Sequence, residues 1–300
     1  MRAALTIALG ALLVWPSGAL SATERRQLKP TSKWVLNYAE DSCRLARQFG
    51  DGDDQITLFL DQFGPGEWFR IMFLGKSLRS RSDTRPLRGT IRFGPHEAEA
   101  DVAGLMGMTG DLPTFMVERA QRLAPLSAAE KAASEDAERR GMEFEPEPIS
   151  AERERAATWL ELRKAFRSDF VLETGRMDQP LAALRQCAWD TVKSWGLDVD
   201  QQKSLSRKPV AKPGIWIRSS DYPAAMIRGG YQGLVHYRII VDENGKPVSC
   251  HIQASTRPKE FDDVVCRSAM KRAEFEPALD ANGKPVRSYW RQTVQFRLED

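Results

Sequence analysis

The 300-residue chain is poor in the residues that most catalytic and metal chemistry requires, with three histidines and four cysteines. His96, His236 and His251 stand apart, and no His-Glu-x-x-His occurs, so a zinc-hydrolase site has no ligand set. Also missing are Cys-x-x-Cys, Gly-x-Ser-x-Gly and the phosphate-binding Gly-x-x-x-x-Gly-Lys-Ser/Thr. Their absence argues against a thioredoxin-like redox centre, a nucleophile elbow and a P-loop, and no cofactor is implied. Charge of one sign is lacking too: 44 Lys+Arg against 41 Asp+Glu give a formal +3, so the overall balance demands no nucleic acid or anionic partner. Long apolar runs are confined to residues 3–15, and the mean hydropathy of -0.45 fits a globular chain with room for two domains.

That one apolar run follows Met1-Arg2, is broken by Pro16-Ser17-Gly18, and leads to the small residues Ala19-Leu20-Ser21-Ala22. The pattern is that of a secretory signal over 1–22, with the mature protein in the periplasm. The alternative is an uncleaved inner-membrane anchor, although the run falls short of the ~20 residues that span a bilayer. Export makes disulfides the expected state of Cys43, Cys187, Cys250 and Cys266. Four cysteines allow three connectivities, and their division into a distant pair and a close pair makes one bridge per domain the simplest, Cys43–Cys187 and Cys250–Cys266.

The mature chain reads as α+β. A β-rich N-terminal domain over 28–200 opens with alternating Trp34, Leu36 and Tyr38, followed by apolar runs at Ile56–Leu60, Trp68–Leu74 and Gly89–Phe93. Residues 113–124 have the spacing of a short helix, and a charged, solvated excursion is expected near 125–155. A strand at 170–175 precedes a long helix from Gln179 to Trp195, whose Leu181, Leu184, Ala188 and Val192 share a face that Gly196 terminates. Residues 201–220, with few apolar side chains at their start and two prolines, read as a linker or extended connection.

From residue 221 to 300 the order is helix, strand, strand, helix, strand. Its landmarks are Tyr222-Pro223-Ala224, Gly233, the Asp242–Gly245 turn, Phe275-Glu276-Pro277 and Val294-Gln295-Phe296-Arg297-Leu298. This stretch, about 80 of the 300 residues, resembles the C-terminal domain of the TonB family. The resemblance implies a small three-stranded antiparallel sheet covered by two helices. The physical pattern agrees: Val235, Tyr237, Ile239 and Val241 share a strand face, and Phe261, Val265 and Ala269 form a helical stripe to cover it. Cys250 and Cys266 can meet between sheet and helix.

The resemblance further implies recognition of an extended peptide from an outer-membrane receptor, or from another envelope protein, by strand addition. Carried over by position, the peptide-binding residues are Ser219, Ser220, Asp221 and Tyr222, with Gln292, Val294 and Phe296 on the last strand. That strand could instead pair with a second copy, giving a homodimer. Where TonB itself has glutamines around a proline, this chain has Ser219-Ser220-Asp221. It also has a cysteine-bearing domain in place of a long Pro-rich span. The expectation is therefore a periplasmic, non-enzymatic binding protein, open to a role in TonB-dependent transport; the alternatives are an anchored TonB-type energy transducer and a periplasmic enzyme housed in the N-terminal domain.

Overall fold

The computed structural model describes residues 25–298 apart from 40, 82–85, 141 and 257. The expected signal segment, 1–22, lies outside the described residues. Eight strands come first: β1 (Arg25–Leu28), β2 (Val35–Tyr38), β3 (Cys43–Phe49), β4 (Ile56–Gln62), β5 (Arg70–Leu74), β6 (Leu87–Phe93), β7 (Ala100–Thr109) and β8 (Leu112–Val117). Helices α1 (Ala128–Arg139) and α2 (Ala151–Ala156) precede β9 (Leu160–Arg163) and β10 (Asp169–Leu172). These strands form one sheet in the order β1-β10-β9-β6-β7-β8-β5-β4-β3-β2. Its pairs are antiparallel except β1–β10, which is parallel. Just past β1, Pro30 bridges Phe49 and the Thr31 N–H donates to the Gln48 carbonyl at 2.9 Å, so the chain leaving one edge pairs with β3 and closes the sheet into a barrel.

Inward residues fill the barrel, with Phe73 set against Phe115 and edge-on to Phe170 at 5.5 Å. Glycine makes room for these rings: a Cβ on Gly104 would lie 2.4 Å from the Phe115 ring. The helix expected over 113–124 is absent; Leu112–Val117 is β8, paired on both sides, with Thr114 to Val117 all buried. A short apolar run buried on two faces carries no period that separates strand from helix. Of the alternating Trp34, Leu36 and Tyr38, expected to face one way, Trp34 and Leu36 pack against the core while Tyr38 is exposed.

Helix α1 has no buried residue and is held at its start by a capping box in which Ser127 and Glu130 serve each other's backbone N–H. Helix α3 (Asp178–Ser194) buries Leu181, Leu184, Ala188 and Val192, and Gly196 follows it with a φ of 77°. Cys187 on its buried side is bonded to Cys43 of β3, which joins helix to barrel.

After α4 (Val199–Lys203), β11 (Val210–Ala211) and α5 (Ala224–Arg228) come β12 (Gly233–Val241), β13 (Pro247–Ser255) and α6 (Glu260–Arg272). The short strands β14 (Phe275–Glu276), β15 (Ala278–Leu279) and β16 (Pro285–Val286) lead to β17 (Ser288–Phe296). Strands β13, β12 and β17 form an antiparallel sheet in that order. Its inner face, from Val235 to Val241 with Trp290 and Phe296, packs on Met226 of α5 and on Phe261, Val265 and Ala269 of α6. Cys250 on β13 is bonded to Cys266 on α6. The connection at 201–220 is fastened along its course: Gln202 is buried, β11 pairs with β14, and Arg207 bridges Leu279.

Candidate functional site

The small sheet uses its two faces differently. Alternation sends Val235, Tyr237, Ile239 and Val241 of β12 inward and His236, Arg238 and Ile240 outward. That outward face is not open to solvent but lies on the barrel and α3. Asp41, at the tip between β2 and β3, accepts from Arg238 Nη1 at 3.3 Å and pairs with His251 Nε2 at 2.5 Å, while Gln253 donates to the carbonyls of Asp41 and Phe63. The Arg238 guanidinium lies 4.2 Å from the Trp195 ring centre, and Trp195 meets Tyr289 edge-on at 5.0 Å.

His236 stacks on Phe63 at 4.7 Å, with the Arg70 guanidinium at 4.7 Å from the same ring. Burial first, and then the charge of Arg70, lower the His236 pKa to about 3, so this imidazole is neutral at physiological pH. The histidines do not combine into a ligand set: His251 pairs across with Arg238, and His236 with Ala254. Among the described residues no group of three or more His, Cys, Asp and Glu could hold a metal ion.

With one face on its helices and the other on the barrel, the small sheet has its remaining opening at the strand edges. Strand β17 pairs with β12 on one side, and its other side borders a groove of about 910 Å³. One wall is the segment 211–219, where Ile215 is 72% exposed. The floor includes Trp290, Gln292, Val294 and Phe296 of β17, and Glu138 and Arg139 at the end of α1 reach the rim.

Five of the seven residues expected at a peptide site line this groove: Ser219, Tyr222, Gln292, Val294 and Phe296. Tyr222 stands edge-on to both Phe261 and Phe296, and burial raises its pKa. Gln292 accepts from the Tyr237 hydroxyl at 3.2 Å. Ser220 and Asp221 lie in the turn behind the groove wall. Asp221 accepts from the Arg218 N–H and is paired with Arg272, whose Nε donates to the Trp216 carbonyl; the backbone contact at Arg218, then Arg272, hold the acid below the usual carboxylate range. Those contacts tie the wall to α6.

Trp216 and Ile215 in the wall and α1 at the rim lie outside the residues expected from the sequence. The apolar Ile215-Trp216-Ile217 inside an otherwise polar connection was the available signal for the wall. Nothing in the Ala/Glu/Arg run of α1 marks it as a neighbour of β17. Strand β17 is held from its barrel side as well: Arg291 donates to Glu143 at 2.7 Å and to the Pro65 carbonyl, and Arg297 donates to Glu118 at 2.9 Å.

No helix among the described residues is long and apolar enough to cross a membrane. Residues 218–298 match the family model of the Gram-negative bacterial TonB protein C-terminal region. No curated protein matches the chain. The matched family belongs to the cell envelope and acts as a transducer and receptor-interaction domain, without catalysis of its own.

Proposed function

We propose that this chain is a periplasmic binding protein whose groove takes an extended segment of an outer-membrane receptor, or of another envelope protein, as an added strand against β17. The observation that carries the reading is the open side of β17 at the floor of the groove, with the opposite face of its sheet already occupied by the barrel. An edge strand offers main-chain N–H and C=O groups to a partner, and alternate side chains of the added strand then meet the walls. Tyr222, Trp290, Val294 and Phe296 supply an apolar side to that groove, and Ser219 and Gln292 supply polar groups. Barrel loops hold the edge in place, Pro65 through Arg291 and Glu118 through Arg297. This limits the ordering cost of docking, because less of the receiving strand must be immobilised.

The test is amide hydrogen exchange on the full chain with synthetic peptides copied from the periplasm-facing extended segments of outer-membrane receptors. Binding with new protection at residues 290–297 is expected. Protection confined to another surface, or no binding across such a peptide set, overturns the reading. Sedimentation at rising protein concentration separates a second use of the same edge, because pairing of two copies through β17 protects the same amides without any peptide.

A further inference from the structure

The nearly balanced overall charge, a formal +3, conceals a strongly basic rim at one end of the barrel. The turn between β9 and β10 and residues 79–81 meet there: Ser80 bridges Phe166, the Arg167 N–H donates to the Arg79 carbonyl, and the Arg81 N–H donates to the Ala165 carbonyl. This backbone pairing gathers Arg79, Arg81, Arg88, Arg163, Lys164 and Arg167 around one end. Among the described residues, the neighbouring carboxylates are Glu99, Asp101 and Asp169. Glu99 is paired with Arg163 and Lys164, and Asp169 lies near Arg81 and Arg163 at 3.9 Å. Arg79, Arg88 and Arg167 are exposed and have no side-chain ion pair among the described residues. Lys164, at the tip, has a φ of 67°, a left-handed conformation that other residue types than lysine adopt at lower cost.

A second observation points the same way. Strand β1 begins at this rim, with Arg25 in register with Asp169, so the first described strand enters the barrel at its basic end. The peptide groove belongs to the other sheet and involves none of these residues. We infer that the rim is a docking surface for an anionic phospholipid bilayer, which would set the barrel end against the membrane and leave the groove free for its partner. Cationic side chains near an anionic leaflet act additively and through the surface potential, each strengthening association about fivefold and weakening with salt.

The experiment is co-sedimentation of the mature chain, residues 23–300, with vesicles of phosphatidylcholine alone and with vesicles of equal parts phosphatidylcholine and phosphatidylglycerol, at low and raised salt. Salt-sensitive binding to the anionic vesicles is expected. The triple variant Arg79→Glu, Arg88→Glu, Arg167→Glu should weaken it by about a hundredfold or more. Reversal of three exposed cations elsewhere, Lys131→Glu, Lys193→Glu and Lys259→Glu, should cost much less, and matching thermal melts of both variants establish that each is folded. Equal binding to the two vesicle types, as an apolar insertion would give, overturns the proposal, as does an equal effect of the two triple variants.

Discussion

Lys164 and His236 are single residues whose conformation or environment departs from what their type prefers. Lys164 occupies a left-handed φ of 67° in the β9–β10 turn, where its N–H donates to Asp169 at 2.9 Å. Glycine removes the Cβ clash of about 1 to 2 kcal/mol but loses more chain entropy on folding. Lys164→Gly should therefore raise stability by about 0.5 to 1 kcal/mol, read as a higher urea midpoint at unchanged slope. His236 is the opposite case, a group whose neutral form alone suits its site between Phe63 and Thr293. Arg70 and Asp61 are the charges facing it, and its folded pKa of about 3 lies below the ordinary 6.5. Between these values the unfolded chain binds the proton and the folded one does not, so stability present above pH 6.5 is lost as pH falls toward 3. The loss amounts to a few kcal/mol at most, since each tenfold difference in proton affinity between the folded and unfolded chain is worth about 1.4 kcal/mol. His236→Gln should flatten the urea midpoint across that window; an unchanged slope against pH would locate the acid sensitivity in the carboxylates instead.

At the scale of elements, the small sheet was far more legible than the barrel. Its strands alternate over nine residues in β12, its Asn-Gly turn sits at Gly245 with a φ of 76°, and its helix stripe is periodic, so each local signal agreed with the next. The barrel was half visible. Strands β4, β5 and β6 are apolar runs bounded by turns, whereas β3 reads Cys-Arg-Leu-Ala-Arg-Gln-Phe, and β7 contains two glycines and two methionines. Neither has the composition of a strand, and both are held by neighbours on each side. The two glycines of β7 differ in their surroundings. A Cβ on Gly104 meets Phe115 at 2.4 Å, while one on Gly107 meets nothing within 4 Å. Gly104→Val should cost roughly 3 kcal/mol by overpacking, and Gly107→Val should stay near neutral in the same denaturation assay. For the small sheet the cystine is the larger lever. Cys250 and Cys266 are 16 residues apart, and replacing both with alanine should cost about 3 kcal/mol in the chain-entropy account, measured by thermal melting of the intact protein.

Across the whole molecule, the feature least visible in the sequence is how the barrel and the small sheet meet, because it joins residues nearly two hundred positions apart. Asp41 lies in a polar tip, Trp195 at a helix end and Arg238 in a strand, and nothing local in any of them names the others. Their meeting gives Val192, Leu197, Ile240 and Tyr289 a shared buried cluster, flanked by Trp189 and Trp195. A contact of this kind, apolar in the middle and ion-paired at Asp41 and Glu143, makes the unfolding of one sheet expose the surface of the other. The native chain should accordingly unfold in one calorimetric transition. Trp195→Ala removes the half-buried ring that packs on Arg238 and Tyr289, at a cost of about 1 to 3 kcal/mol, and Arg238→Ala leaves Asp41 with His251 as the remaining partner of its carboxylate among the described residues. The double variant should split the melt in two, the small sheet following the cystine and its helices, the barrel following its own core. Two transitions in the unaltered protein would mean that the contact is too weak to couple the sheets. In that event the groove edge would also lose the rigid backing that Arg291 and Arg297 provide, and peptide affinity should respond little to either substitution. Coupled unfolding with a weakened groove in the double variant is the result that ties the barrel to binding.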